Sequence, residues 1–68
     1  MNEEAFNLSV RRFLKMVGVN SQRQIEQAAA QAMADGVISG TETFPAKMTL
    51  DVAGLQLRVV FDGEIQLE

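Results

Sequence analysis

The hydrophobic pattern of this chain changes its period at Gly36, and that change limits the available folds more than any other feature. Before Gly36 the apolar residues recur every three or four positions, which is typical of amphipathic helices. After Gly36 apolar and polar residues alternate, which is typical of half-buried strands. A helical part followed by a stranded part predicts one α+β domain over residues 1–68.

The part before Gly36 is predicted to form a helical hairpin. Asn2 is suited to cap a first helix, and Gly18 is suited to end it in the left-handed conformation. Ser21 with Gln24 forms a capping-box pattern that begins a second helix. One apolar stripe comprises Phe6, Val10, Phe13, Leu14 and Val17, and the other comprises Ile25, Ala28, Ala29, Ala32 and Met33. The predicted helices span about residues 3–17 and 22–34.

The part after Gly36 is predicted to form a three-stranded antiparallel meander over about residues 46–52, 55–61 and 64–68. A two-residue turn at Ala53-Gly54 would set Val52 opposite Leu55 and put every apolar side chain on one face. A bulged turn ending at Gly63 would keep the third strand in phase. We expect the helical hairpin to cover this face in a two-layer fold. The expected core comprises Phe13, Leu14, Ile25, Leu50, Leu57 and Val59.

The stretch from Val17 to Met33 shares some features with the helix-turn-helix motif of DNA-binding proteins. Gly18 fits the turn, but the motif places apolar residues six and nine positions later, at Gln24 and Gln27 in this chain. Ile25 and Ala28 each fall one position late. This spacing favours an ordinary helical hairpin over a DNA-reading one.

The residue types argue against catalysis. The chain contains neither cysteine nor histidine, so thiolate zinc sites and histidine-activated nucleophiles are excluded. Its glycines lie at predicted turns and form no phosphate-binding run. We therefore expect no catalytic, cofactor-binding or metal-binding residue, no cofactor, and a protein that is not an enzyme.

Basic side chains are confined mainly to the predicted hairpin, and the formal net charge is −3. Such a balance is unlike the basic footprint of nucleic-acid binders, so nucleic acid is not the expected partner. The alternative function is a nucleic-acid-associated regulator, and its candidate contacts with an anion or a partner are Arg11, Arg12, Lys15 and Arg23.

Self-association is the leading functional expectation. A chain of 68 residues without disulfides has a small core, and a subunit interface is the remaining general route to stability. The first strand of the meander would present an open edge, with Met48, Thr49 and Leu50 as candidate interface residues. We expect a small interaction module, a homodimer or an accessory to an unidentified larger protein. No signal peptide or membrane span is evident, so a cytoplasmic location is the default.

Four stretches together, "MNEEAF", "VGVNSQRQIEQA", "GTETFPAKMTL" and "VAGLQL…FDGEI", resemble a family of short bacterial proteins with a domain of unknown function. The resemblance runs over the whole chain. It implies a free-standing bacterial protein, and it brings no activity or functional residue that could be carried over.

Overall fold

The computed structural model describes all residues from Met1 to Glu68. Its elements are one long helix, α1 (Glu3–Ala34), and two strands, β1 (Thr43–Val52) and β2 (Leu57–Gln66). The chain divides into two compact units, Met1–Asp35 and Gly36–Glu68, and each is described by itself. That the whole chain acts as one domain stays a prediction.

The first unit is a single helix, so the predicted helical hairpin is wrong. α1 runs through both predicted helices, about 3–17 and 22–34, and through the residues between them. Asn2 caps it as predicted, because its Oδ1 accepts a hydrogen bond from the backbone N–H of Ala5 at 3.0 Å. The other end also agrees with the sequence: α1 ends at Ala34, and Gly36 follows with a left-handed φ of 71°.

The two apolar stripes lie in phase, and that is why no turn separates the helices. Val17 ends the first stripe and Ile25 begins the second, with Ser21 midway at a spacing of four residues from each. Most members of both stripes therefore fall on one side of a straight helix, while Ala29 and Met33 lie beyond its edge. Gly18 keeps a helical rather than a left-handed backbone, since only Gly36 and Gly40 among the glycines have positive φ.

Residues that suggested a turn are accommodated inside α1. Glycine in a helix interior costs only about 1 kcal/mol relative to alanine, which a long helix tolerates. The Asn20 side-chain amide donates to the carbonyl oxygen of Met16 at 2.7 Å, one turn earlier. Ser21, which was predicted to begin a new helix, therefore lies in the middle of an existing one.

The second unit is a two-stranded antiparallel hairpin, so the predicted three-stranded meander is also wrong. β1 begins at Thr43, before the predicted start, and β2 combines the predicted second and third strands. The strands are joined by a short 3₁₀ turn, Ala53–Leu55, and by Gln56, which has a left-handed φ of 53°. The loop is thus longer than the predicted Ala53-Gly54 turn, and Val52 pairs with Leu57 instead of Leu55.

The predicted second turn does not exist, because Asp62 and Gly63 lie within β2 and pair with Lys47 and Ala46. The alternation of side chains explains this continuity. Phe61, Gly63 and Ile65 share one parity, so an unbroken strand keeps them on the same face without any bulge.

No side chain is buried, so the six residues expected to form the core are not buried ones. Leu50 is half-buried, and the other five expected core residues are exposed. Large apolar side chains lie at the surface of both units instead.

Candidate interaction surfaces

The hairpin carries an apolar surface that spans its whole length. In the observed register, alternate residues of β1 pair with alternate residues of β2, and every member of this set is apolar. We call it the hairpin face; it comprises Phe44, Ala46, Met48, Leu50, Val52, Leu57, Val59, Phe61, Gly63 and Ile65. The observed register differs from the predicted one by two residues. A shift by an even number keeps each paired side chain on the same side of the hairpin, so the paired apolar residues lie on the predicted face.

The opposite side of the hairpin is polar. Arg58 pairs with Asp51 across the strands, and its Nη1 lies 3.3 Å from Asp51 Oδ2. Both side chains are largely exposed, so this ion pair contributes little to stability. Val60 is the one large apolar residue on that side, where it pairs with Thr49. The hairpin is therefore strongly two-sided.

The predicted edge-strand residues lie in the middle of β1. Met48 and Leu50 belong to the hairpin face, while Thr49 lies on the polar side. The sheet has only two strands, so β1 keeps one edge without a pairing partner. Lys47 and Asp51 flank this segment as charged neighbours. The middle of β1 thus offers a binding partner both unpaired backbone groups and apolar side chains.

The helix carries a second apolar surface, along one side of α1. Residues of an α-helix are rotated by about 100° from one to the next, and the apolar positions fall within about 120° of arc. We call this surface the helix stripe; it comprises Phe6, Val10, Phe13, Leu14, Val17, Ile25, Ala28 and Ala32. Its C-terminal half is made mainly of alanine, which allows a partner to approach closely.

The four predicted basic contacts lie on the other side of α1. Arg11, Arg12 and Lys15 occupy neighbouring turns, and Arg23 follows two turns after Lys15. All four side chains are exposed, and none forms an ion pair, since the only one in the chain joins Arg58 to Asp51. The single helix therefore gathers them on one surface, where the predicted hairpin would have divided them between two helices.

A carboxylate cradle precedes β1, and the sequence reading missed it. The side chain of Glu42 accepts hydrogen bonds from three consecutive backbone N–H groups: Ser39 at 2.9 Å, Gly40 at 3.0 Å and Thr41 at 3.1 Å. The left-handed φ of Gly40, 100°, helps to turn these groups toward one point. The signal in the sequence is an acidic residue directly after Ser-Gly-Thr.

The hydrogen bond from Ser39, followed by those from its neighbours, holds the pKa of the Glu42 carboxyl below its ordinary value of 4.5. A lowered pKa means that the ionised form stabilises the folded state. That stabilisation is fully present above the unfolded pKa and is lost as the pH falls through the folded one. The cradle should therefore weaken only in acid, below about pH 4.5.

Glu42→Gln is expected to lower the thermal midpoint at neutral pH and to flatten its decline in acid, because glutamine keeps an acceptor oxygen but has no charge to lose. Melting curves followed by circular dichroism between pH 7 and pH 3 would measure both effects. Glu64→Gln is the matched control, since Glu64 is an exposed glutamate on the polar side of the hairpin, opposite Pro45. An acid decline as steep in Glu42→Gln as in the wild type would contradict this role.

No group of three or more histidine, cysteine, aspartate or glutamate side chains is placed to hold a metal ion. None of the helices combines the length and the apolar character that crossing a membrane requires. The surfaces that remain as candidates are the hairpin face, the edge of β1, the helix stripe and the basic side of α1.

Comparison with known proteins agrees with the resemblance noted in the sequence. Neither the curated proteins nor the solved structures include a match to this chain. One family matches, described as "Family of unknown function (DUF6494)", and the match covers residues 1–68. The chain therefore belongs to the family of unknown function DUF6494.

Proposed function

We propose that the protein is a small, non-enzymatic interaction module whose apolar surfaces are covered by a protein partner. The observation that carries this proposal is the hairpin face, a continuous surface without a charged residue on a chain in which no side chain is buried. Monomeric proteins rarely expose large contiguous apolar patches, and those that are exposed usually mark interaction sites.

The energetics of the two units support the same proposal. A two-stranded hairpin alone is at best marginally stable in water, and most of the stability of a helix comes from packing of its apolar side. Phe61 is 56% exposed and Phe13 is 48% exposed, so neither aromatic ring gains full burial from its own chain. Covering the exposed half of each such side chain would stabilise by about 1 kcal/mol. A partner would therefore complete the fold as well as carry the function.

The residue types are compatible with a role that requires no chemistry. The side chains on the hairpin face offer shape and apolar area but no nucleophile, acid or base. We also propose a bacterial cytoplasmic location, where a chain that uses no disulfide would be at no disadvantage.

Co-purification from the native host tests the proposal. A tagged wild-type chain is expected to retain a stoichiometric protein companion, either untagged copies of itself or another protein, and Leu50→Lys is expected to lose it. Thr49→Lys is the matched control, because it places the same charge one residue away on the polar side of the same strand. Recovery of the wild type as a folded monomer without a companion would overturn the proposal.

A second candidate is a nucleic-acid-associated regulator. It is favoured by one observation: Arg11, Arg12, Lys15 and Arg23 lie unpaired on one side of a single helix. Against it stands the net charge of −3. Titration of a labelled duplex separates the candidates, since phosphate binding weakens steeply with salt and would be lost in Arg11→Ala/Arg12→Ala.

A further inference from the structure

We propose that the free edge of β1 pairs with the same edge of a second copy, antiparallel and about a two-fold axis at Thr49. This inference goes beyond the proposed function, because it concerns the backbone edge of the hairpin and not its apolar face. It rests on the hairpin unit alone, Gly36–Glu68. Two strands from each copy join in one antiparallel sheet, in which the two hairpin faces lie side by side.

The free edge of β1 presents a defined set of backbone groups. The N–H of Leu67 donates to the carbonyl oxygen of Glu42 at 3.0 Å, so these two residues form a hydrogen-bonded pair next to the ladder. Hydrogen-bonded and non-hydrogen-bonded pairs alternate along an antiparallel ladder. In the continuous register of the hairpin, the non-hydrogen-bonded positions of β1 are therefore Thr43, Pro45, Lys47, Thr49 and Asp51. The backbone groups of these residues point away from β2 and toward the free edge.

Charge selects both the register and the partner. β1 contains one basic residue, Lys47, and one acidic residue, Asp51, and Thr49 lies midway between them. Two copies paired about Thr49 place Lys47 of each opposite Asp51 of the other. A two-fold axis at Lys47 or at Asp51 opposes like charges, and an axis at Met48 or at Leu50 leaves both charges opposite uncharged residues. The register about Thr49 also sets Met48 opposite the partner's Leu50, so the edge is its own complement.

Pro45 points to the same register. Its ring nitrogen cannot donate a hydrogen bond, so any register that places Pro45 opposite another strand residue loses one backbone bond. About Thr49, Pro45 falls opposite the partner's Ala53, which lies in the 3₁₀ turn after the end of β1. The hydrogen-bonded pairing then runs from Lys47 to Asp51 and forms about six backbone hydrogen bonds between the copies.

Other segments of the chain match this edge less well. The backbone groups of α1 are bonded within the helix, so α1 cannot extend a ladder. The N–H groups of the connector, from Ser39 to Thr41, are bound by the Glu42 carboxylate. The free edge of β2 carries two acidic residues and one basic residue, so pairing of two β2 edges leaves one carboxylate of each copy without a basic partner. The charges of β1 balance, which favours its own edge as the partner.

Sedimentation of the full chain with proline at either edge is the first test. The wild type is expected to form a species of twice the 7.5 kDa chain mass at high micromolar concentration. Thr49→Pro removes an outward N–H and no bond to β2, so it should raise the dissociation constant roughly tenfold or more, whereas Thr49→Lys keeps this donor and should have a much smaller effect. Val60→Pro is the matched control, because Val60 pairs with Thr49 and its N–H points to the free edge of β2. A wild-type monomer at millimolar concentration, or a larger effect of Val60→Pro, would overturn the inference.

Charge exchange tests the register without a proline. Lys47→Asp gives β1 two acidic residues and Asp51→Lys gives it two basic ones, so either chain paired with itself opposes like charges, whereas a mixed dimer opposes unlike charges. After mixing in equal amounts, native mass spectrometry is expected to show several-fold more mixed dimer than both self-paired dimers together. Arg58→Asp mixed with Asp62→Lys is the matched control on β2 and should give the statistical, equal share. A statistical share from the first mixture would overturn the register. Either failure would leave the proposed function standing, because its test asks for a companion of any kind on the hairpin face.

Discussion

Replacement of Gly18 by proline is expected to lower the free energy of unfolding by about 3 kcal/mol or more. Gly18 lies near the middle of α1, where a proline ring would clash with the carbonyl of the residue four positions earlier and would remove one backbone hydrogen bond. The helical circular dichroism signal should fall, because the chain would be divided into two shorter helices. Urea denaturation followed by this signal measures both effects.

Gly18→Ala is the matched control, and its effect should have the opposite sign. A Cβ at Gly18 would meet no atom within 4 Å, and φ is not positive, so alanine should stabilise by about 1 kcal/mol through its higher helix propensity. Gly36→Ala, at φ 71°, should instead destabilise. If Gly18 instead ended a helix in the left-handed conformation, alanine would be strained there and would destabilise the protein, and that result would refute the continuous helix.

The helical part shows what a hydrophobic pattern can and cannot predict. The apolar positions, the cap at Asn2 and the end at Gly36 follow from local chemistry, and all three are found in the structure. The false turn came from Gly18 and Ser21, whose preferences for helix ends amount to only about 1 kcal/mol each. The phase relation between Val17 and Ile25 was available in the sequence, and it outweighs these preferences because it keeps one continuous apolar side.

The prediction of three strands was wrong for a related reason. Asp62-Gly63 is a strong turn signal, but the alternation continues through it without a change of parity. The shared face of Met48, Leu50, Val52, Leu57 and Val59 was therefore predicted correctly, while the number of strands and the place of Leu55 were not. The register was wrong by two residues because the loop includes Leu55 and a left-handed Gln56, a conformation that glutamine adopts only where the surrounding hairpin requires it.

The candidate surfaces were partly predictable and partly not. The basic residues and the edge segment Met48 to Leu50 were identified from residue type and position. Their true arrangement depended on the corrected elements, since only a single helix places Arg23 on the same side as Lys15. The cradle around Glu42 depends on backbone N–H directions at Ser39 to Thr41, which leave no trace in a hydrophobic pattern.

The unbroken hairpin face leads to a second large effect: deletion of Gly63 alone should destabilise the protein by about 2 kcal/mol or more. Because side chains alternate along a strand, the deletion would put Glu64 on the hairpin face opposite Ala46 and would turn Ile65 to the polar side. A carboxylate would then interrupt the apolar surface, and any partner that covers the surface would have to desolvate it. Urea denaturation and sedimentation of the variant measure the two consequences.

Deletion of Gly63 together with Glu64 is the control for this prediction. Removing two residues preserves parity, so Ile65 would stay on the hairpin face and take the position opposite Ala46. The shorter chain should therefore be more stable than the chain that lacks Gly63 alone, although it has lost more residues. An equal loss of stability in both variants would show that the continuity of the face does not matter, and the surface on which the proposed function rests would lose its physical basis.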